Sequence, residues 1–449
     1  MATIALKQLL FRLGQTGLLT SVDSLSEQAQ DNLEKNLLSV HLETLEKQVS
    51  LAKNDSYNAP QIAPLKTYIT KTDSPHIGQK LLQEGKVGTI ILAGGQGSRF
   101  GHNTAKALFP ISLIKQKSLL QLFLEKSAAC GKSFNKTPHV AIMTSSATHD
   151  QITTHIQDNH YFGLPEDHVD LFQQASLPLL DTDGNLLISE NGALLTGPDG
   201  NGGLFWHFRK SGLLDKWKKC GIEYISIVLI DNPLLDPFPI EMLSEHVKNS
   251  ADITAGAIMR EDPEEQVGVF VLQDNKVRVV EYSEITTAEA ESVDQKGNLL
   301  YSLANISYFI FSMSFIAKLE ENLPLHKATK KATSDQLEFL SKKDPFQLFK
   351  FEYFIFDLLQ YSGKSQVFLL DRTECFAPLK NASGKDSVTS VQKALLERDR
   401  KQYEKITGIP VTHDRLFELS MNFYYPTSKF IEAWHKKPLP NCAYIEETL

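Results

Sequence analysis

The first 55 residues carry leucines at Leu9, Leu10, Leu18, Leu19, Leu37, Leu38 and Leu45, set among Gln, Glu and Lys at mostly helical spacing. That pattern predicts amphipathic helices. Ser24 with Glu27 has capping-box spacing, and Ser39 with Glu43 lies near a second cap. From Asn54 to Pro75 the periodicity fades among Pro60, Pro64 and Pro75, which reads as a connector. Near Gly88 the period changes. Thr89 to Ala93 is a short apolar, β-branched run that ends in Gly94-Gly95, a buried strand leading into a glycine loop. Similar runs follow at Val140–Thr144, Tyr224–Ile230, Ile253–Ile258 and Val267–Leu272, with helical patterns at Lys117–Ala129 and Leu204–Lys219. Strands alternating with helices predict an α/β fold whose mixed central sheet is flanked by helices. Ligands of such sheets bind beyond the carboxyl ends of the strands, where the glycine loop lies. After about residue 375 come a polar loop, Lys380–Lys385, and a helix over Ser387–Ile406. A tail with Pro410, Pro426, Pro438 and Pro440 follows. The predicted division is a helical region over 1–85, an α/β domain over 86–375 and a small irregular module over 376–449.

Composition narrows the function. With 449 residues, 42% of them hydrophobic and 22% charged, the chain is of ordinary globular type and long enough for a core without staples. Lys and Arg number 46 against 54 Asp and Glu, a net charge of −8. That balance argues against a nucleic-acid or anionic-membrane footprint. Cys130, Cys220, Cys375 and Cys442 are scattered without C-x-x-C spacing. Neither a structural zinc nor a disulfide framework is expected, and the pattern fits a reducing cytosol. No apolar run approaches the ~20 residues that span a bilayer. Lys7 and Arg12 interrupt the apolar N-terminal residues, which read as an amphipathic helix and not a signal peptide.

The strongest chemical signal is Leu92-Ala-Gly-Gly-Gln-Gly-Ser-Arg-Phe-Gly101, followed by Lys106. Glycines after a buried strand let backbone N–H groups approach a phosphate or a base, and Arg99 and Lys106 add positive charge there. A phosphate loop of the Walker type needs Gly-Lys-Ser/Thr, which is missing. The dinucleotide fingerprint needs glycine where Phe100 stands. Asp231 directly follows the apolar run ending at Ile230, so its carboxylate is predicted at the sheet edge. Phosphate chemistry calls for Mg²⁺, which favours one or two carboxylates plus substrate oxygens, and Asp231 is the metal candidate. A lone Gln174, Glu281 or Lys380 reads from its own surroundings as a surface side chain.

The glycine window resembles the signature of sugar-1-phosphate nucleotidyltransferases. The resemblance continues through Phe172-Gln-Gln174, Pro198-Asp-Gly-Asn-Gly-Gly203, Ile230-Asp-Asn232, Val267-Gly-Val269, Val280-Glu-Tyr-Ser-Glu284, Asn305-Ile306, Phe354-Ile-Phe-Asp357 and Pro378-Leu-Lys-Asn381. Over residues 88–385 the chain looks like the eukaryotic-type UDP-N-acetylhexosamine pyrophosphorylases, within the wider UDP-sugar pyrophosphorylase family. The resemblance implies a Rossmann-like nucleotidyltransferase fold, with 86–375 as the catalytic domain. It implies substrate contacts at Leu92, Ala93, Gly94, Gly95, Gln174, Gly200, Asn201, Gly268, Glu281, Tyr282 and Asn305, and catalytic charge at Arg99, Lys106 and Lys380. Among these, Gln174, Gly95 and Gly200 would face uracil, Asn201 the sugar phosphate, and Glu281, Tyr282 and Asn305 the sugar. Two positions depart from the family pattern. Ala105 stands where proline is common, so its loop is expected to be less rigid, and Ala304 replaces a glycine beside Asn305.

The implied reaction joins UTP and a sugar 1-phosphate into a UDP-sugar and pyrophosphate. The sugar phosphate is already ionised, so it needs no general base, and catalysis reduces to positioning and charge stabilisation. N-acetylglucosamine 1-phosphate is the expected sugar substrate. Glucose 1-phosphate or broad UDP-sugar use is the alternative within the class. A non-catalytic nucleotide-sugar-binding protein is the alternative from another class, and it would be expected to have lost the charged residues retained here.

Overall fold

A computed structural model describes residues 2–54, 61–97, 104–320 and 323–446. The chain divides into two compact units, each assembled from three separate stretches.

The first unit comprises Met1–Pro60, Gln174–Leu204 and Glu321–Asp357. Its helices include Ile4–Arg12, Glu27–Ser39 and Leu42–Lys53. The second of these begins two residues later than the Ser24–Glu27 spacing predicts. Val22–Ser24 forms a 3₁₀ turn that buries Val22, and Ser26 becomes the cap, accepting the Ala29 N–H at 3.2 Å. The leucine stripes meet Leu177, Leu180, Leu186, Leu194, Phe349 and Phe351 in one apolar cluster. Gln15 is fully buried there. Its amide donates to the Gly184 carbonyl at 3.0 Å and its oxygen accepts the Leu186 N–H at 2.7 Å. A small sheet pairs His326–Lys331 with Gln347–Glu352, and the latter with Leu180–Asp181.

The second unit comprises Gln61–Gln173, Phe205–Glu320 and Leu358–Leu449. Its principal strands are β1 (Val87–Leu92), β2 (His139–Thr144), β3 (Val169–Gln173), β4 (Tyr224–Leu229), β5 (Ile253–Met259), β6 (Val269–Gln273), β7 (Lys276–Val280), β8 (Leu303–Ser312) and β9 (Ser365–Leu369). They run in the order β3-β2-β1-β4-β8-β5-β9, and the β6–β7 hairpin joins at Val269 opposite Ala304. Within that order only β8 is antiparallel to its neighbours. The sheet is therefore mixed, as the alternating pattern predicts. Every residue of β1 is buried, as a central strand requires. Helices Pro75–Gln83, Leu119–Phe134 and Ile240–Lys248 contribute to the same core.

Two sequence expectations need adjusting here. The helix predicted over Leu204–Lys219 is two helices, Leu204–Lys210 and Leu213–Lys219. The break falls at Gly212, whose φ of 80° is left-handed and ends a helical run. The connector after residue 60 is not merely a linker. Ala63–Pro64 pairs with β6, and Ile69 bridges to Phe368 of β9. Toward the C-terminus, Val388–Thr407 is one long helix from the Ser387 cap to Gly408 at φ 71°. Its Tyr403 packs with Phe417, Phe423 and Trp434 from the following segment in a small aromatic core.

Because β1 to β4 are parallel, the segments after Leu92 and Leu229 leave the sheet at one edge. β5 and β9 run the same way, so Met259 and Leu369 end there too, and antiparallel β8 enters there at Leu303.

Candidate active site

The loop after β1 is closed by main-chain bonds. Lys106 N–H donates to the Gly95 carbonyl at 3.1 Å, and Gly97 N–H to Thr104 at 2.9 Å. Leu92 and Ala93 are buried, whereas Gly95 is exposed. A Cβ placed on Gly95 would meet no described atom within 4 Å. Among the described residues neither packing nor a positive φ accounts for glycine at that position. Ala105 keeps φ −56°, close to the value proline fixes, and its N–H donates to Gln151 at 2.8 Å. The loosening expected from the missing proline is thus offset by a hydrogen bond that proline has no N–H to make. Arg99 and Phe100 lie outside the described residues.

Lys106 and Asp231 come together across about 125 residues of chain, Nζ to Oδ2 at 3.5 Å, with side-chain exposures of 14% and 22%. β1 and β4 are neighbours, so the residues just past their ends are adjacent. The Pro378–Asn381 segment reaches the same place. Leu379 N–H donates to the Asp231 carbonyl at 2.7 Å, which puts Lys380 one residue from the candidate metal ligand. Asn232, a residue to which sequence reasoning attached no role, is 1% exposed. Its Nδ2 donates to the Cys375 carbonyl at 2.8 Å and its Oδ1 accepts the Ala377 N–H at 3.0 Å.

The turn after Asn232 is held from beneath by two cations. Lys126 donates to the carbonyls of Pro233 (2.6 Å) and Leu235 (2.9 Å), and Arg398 to that of Leu234 (2.6 Å). Burial drives the Lys126 ammonium well below the ordinary lysine value. Asp399, beside Arg398, is pushed up to about 7, also by burial, although it accepts from Tyr424 and the Leu419 N–H.

A second cluster lies along the β6–β7 hairpin and β8. Gly268 N-terminal to β6 sits against Glu281. A Cβ there would come within 3.0 Å of the carboxylate and 2.8 Å of Val279. The Gly268 carbonyl accepts the Asn305 N–H at 2.8 Å, so Gly268, Glu281 and Asn305 are neighbours. Tyr282 is 46% exposed. Asn305 Oδ1 accepts the Ser307 N–H at 3.0 Å within a β-bulge. Ala304 is fully buried.

Gln174, Gly200 and Asn201 belong to the first unit. Gly200 has φ 89° and lies against the Tyr353 carbonyl, where a Cβ would approach to 2.3 Å. Asn201 Oδ1 accepts the Ile355 N–H at 2.9 Å. These bonds explain the glycine density of Pro198–Gly203 by close backbone approach to residues 352–354. Gln174 is half-buried just after β3.

Asp231 offers a hard oxygen donor at the sheet edge with a lysine beside it. Among the described residues no group of three or more His, Cys, Asp or Glu side chains is placed to hold a metal ion by itself. A single exposed carboxylate fits Mg²⁺ shared with substrate phosphates, and does not fit a closed protein cage. Among the described residues no helix is long and apolar enough to cross a membrane.

Comparison with known proteins identifies the family and the fold. A Dictyostelium discoideum protein named a probable UDP-N-acetylglucosamine pyrophosphorylase is 30% identical over 411 residues, covering 85% of this chain and 84% of that one. The UDP-N-acetylglucosamine pyrophosphorylase of Saccharomyces cerevisiae is 29% identical over 411 residues, covering 84% and 86%. The crystal structure of the uridine diphosphate N-acetylglucosamine pyrophosphorylase from Trypanosoma brucei superposes with a TM-score of 0.77 at 23% identity, covering 95% of this chain and 94% of that one. It therefore shares the fold. The family profile described as UTP–glucose-1-phosphate uridylyltransferase matches residues 35–437. A match over that much of the sequence is decisive: the chain belongs to the UTP–glucose-1-phosphate uridylyltransferase family.

Proposed function

We propose that this protein transfers the uridylyl group of UTP to N-acetylglucosamine 1-phosphate, forming UDP-N-acetylglucosamine and pyrophosphate. The observation that carries the reading is the meeting of Lys106, Asp231 and the Lys380 segment beside the glycine loop. The sugar assignment draws on relatives named for UDP-N-acetylglucosamine. The scattered cysteines support a reducing compartment, the cytosol.

An oxygen of the sugar phosphate attacks the α-phosphorus of UTP in line. A new P–O bond forms as the bond to the β-phosphate oxygen breaks, and pyrophosphate leaves with its charge. No proton has to be removed. Lys106 and Lys380, with Arg99, offset negative charge on the triphosphate and the leaving group. Bound at Asp231, Mg²⁺ would supply further charge compensation on the phosphate oxygens. Main-chain groups at Gly94 and Gly95 approach the nucleotide closely because no side chain intervenes. The family resemblance gives Gln174, whose amide is both donor and acceptor, to the uracil edge, Gly200 to the nucleotide and Asn201 to the sugar phosphate. Glu281 accepts from sugar hydroxyls, Tyr282 packs on the ring, and Asn305 with Gly268 borders it.

The test is pyrophosphate release from UTP and Mg²⁺ with the 1-phosphates of N-acetylglucosamine, N-acetylgalactosamine, glucose and galactose. Release confined to N-acetylhexosamine phosphates is expected. Release with glucose 1-phosphate keeps the reaction class and moves the substrate. Silence across the panel despite UTP binding overturns the reading.

A further inference from the structure

The two segments that carry Asp231 and Lys380 are joined through one buried side chain. Asn232 lies between the end of β4 and the segment that follows β9, and it uses both ends of its amide on that segment. With the Leu379 N–H on the Asp231 carbonyl, this makes a staple across about 140 residues of chain. The 231–235 turn has independent anchors: Asn232 N–H on Leu229 (3.2 Å), Leu235 N–H on Asn232 (3.1 Å), and the Lys126 and Arg398 contacts beneath. Residues 375–380 have anchors of their own: Phe376 N–H on Arg372 (2.9 Å), Lys380 N–H on Asp386 (2.8 Å) and the buried Cys375 and Leu379 side chains; what ties them to the turn by main-chain and amide bonds, among those described, is the Asn232 amide and the Leu379 bond.

We infer that Asn232 is a positioning residue that sets Lys380 against Asp231, acting through the placement of Lys380 and not through the fold. The inference rests on the reading of Lys380 as a phosphate-binding lysine. An amide suits the task because one side chain must donate to a carbonyl and accept from an N–H. A carboxylate of the same shape keeps the acceptor but confronts the Cys375 carbonyl with a second acceptor. Asn232→Asp should therefore loosen the 375–379 segment against the turn and shift Lys380, while each side keeps its other anchors.

The experiment is a double-mutant cycle on pyrophosphate release from UTP, Mg²⁺ and N-acetylglucosamine 1-phosphate. Asn232→Asp is expected to lower kcat at least tenfold in the otherwise unmodified enzyme, and less than twofold in a Lys380→Ala background. Thermal unfolding should shift down for Asn232→Asp, because a buried carbonyl loses its donor, so turnover is compared at a temperature where every variant is folded. A general structural defect would instead cost the same factor in both backgrounds, and that result overturns the proposal. If Lys380→Ala alone keeps full turnover, the role of Lys380 falls and the positioning role falls with it. If Lys380→Ala is impaired and Asn232→Asp is not, only the positioning role falls. Asn232→Ser, too short to reach both partners, takes the same place in the cycle if the aspartate variant does not fold. Amide exchange in a peptide spanning 375–381 gives a further readout. The unmodified enzyme should be protected there, and the variant should lose the protection of Ala377 and Leu379 while Phe376 and Lys380, bonded to Arg372 and Asp386, keep theirs. Exchange at the rate of an unstructured segment in the unmodified enzyme overturns the staple.

Discussion

Gly88 and Gly95 stand at opposite ends of β1, and glycine serves a different purpose at each. A Cβ on Gly88 would lie 2.3 Å from the ring of Trp217, so there the protein's own packing excludes a side chain. A Cβ on Gly95 would meet no described atom within 4 Å. The same contrast extends to the polar groups around them. Near the start of β5 and the end of β8, His246 is fully buried between Thr254 (2.8 Å) and Ser312 (2.9 Å). Burial lowers its pKa to about 3. At the carboxyl edge, Lys106 and Asp231 remain partly exposed and share a bond of 3.5 Å. At the closed position burial silences this histidine. At the open edge the lysine and the carboxylate stay within reach of a ligand, as phosphate binding needs.

That contrast breaks if the two edges respond alike to perturbation. The largest effect is expected from pH at the closed edge. His246 is neutral when folded and titrates near its ordinary value when unfolded, so the unfolded chain binds the extra proton below about pH 6.5. Its contribution to stability is present above that pH and is lost as pH falls toward 3. Between pH 7 and pH 4 this amounts to about 3 kcal/mol, read as the acid-dependent part of urea unfolding that His246→Gln abolishes. Next, Gly88→Ala should cost about 2 kcal/mol of stability by overpacking, with turnover of the folded fraction within about twofold of normal. At the open edge, Lys106→Ala or Asp231→Ala should lower kcat at least tenfold, about 1.4 kcal/mol, with no loss of thermal stability. Full turnover in both variants would refute the assignment of this edge. The smallest effect belongs to Gly95→Ala. Its stability should stay within about 0.5 kcal/mol while the KM for UTP rises about threefold. A variant that unfolds instead would mean that Gly95, like Gly88, is held by packing.

Much of the open edge was legible before any coordinates, because it depends on local order. An apolar strand that stops at Leu92 or Leu229 and runs into glycines or Asp231 announces its own carboxyl end. Gly268, Glu281 and Asn305 were reachable only through family resemblance. Their adjacency comes from hairpin register and from β8 entering the sheet in the opposite direction. Asn232 stood in a quoted motif, yet its function lay hidden because its partners are backbone atoms of residues 375 and 377, which no side-chain pattern marks. The break at Gly212 was missed for a related reason. The apolar spacing continues on both sides, and only the left-handed φ interrupts the helix. The late start after Ser26 follows from the burial of Val22, a tertiary demand that overrides cap spacing.

The first unit is drawn from stretches far apart in the sequence, and this sets a schedule for its assembly. The apolar faces of the helices up to Lys53 are completed by Leu177, Leu180 and Leu186, and finally by Phe349 and Phe351. At synthesis rates of about 5–20 residues per second, the helices emerge roughly 15–60 s before the last of those partners. Through that interval the nascent chain displays sticky surface that its own later residues will cover. The demand for protection on the ribosome therefore falls on the helices up to Lys53 and ends only once Phe349 and Phe351 have been made.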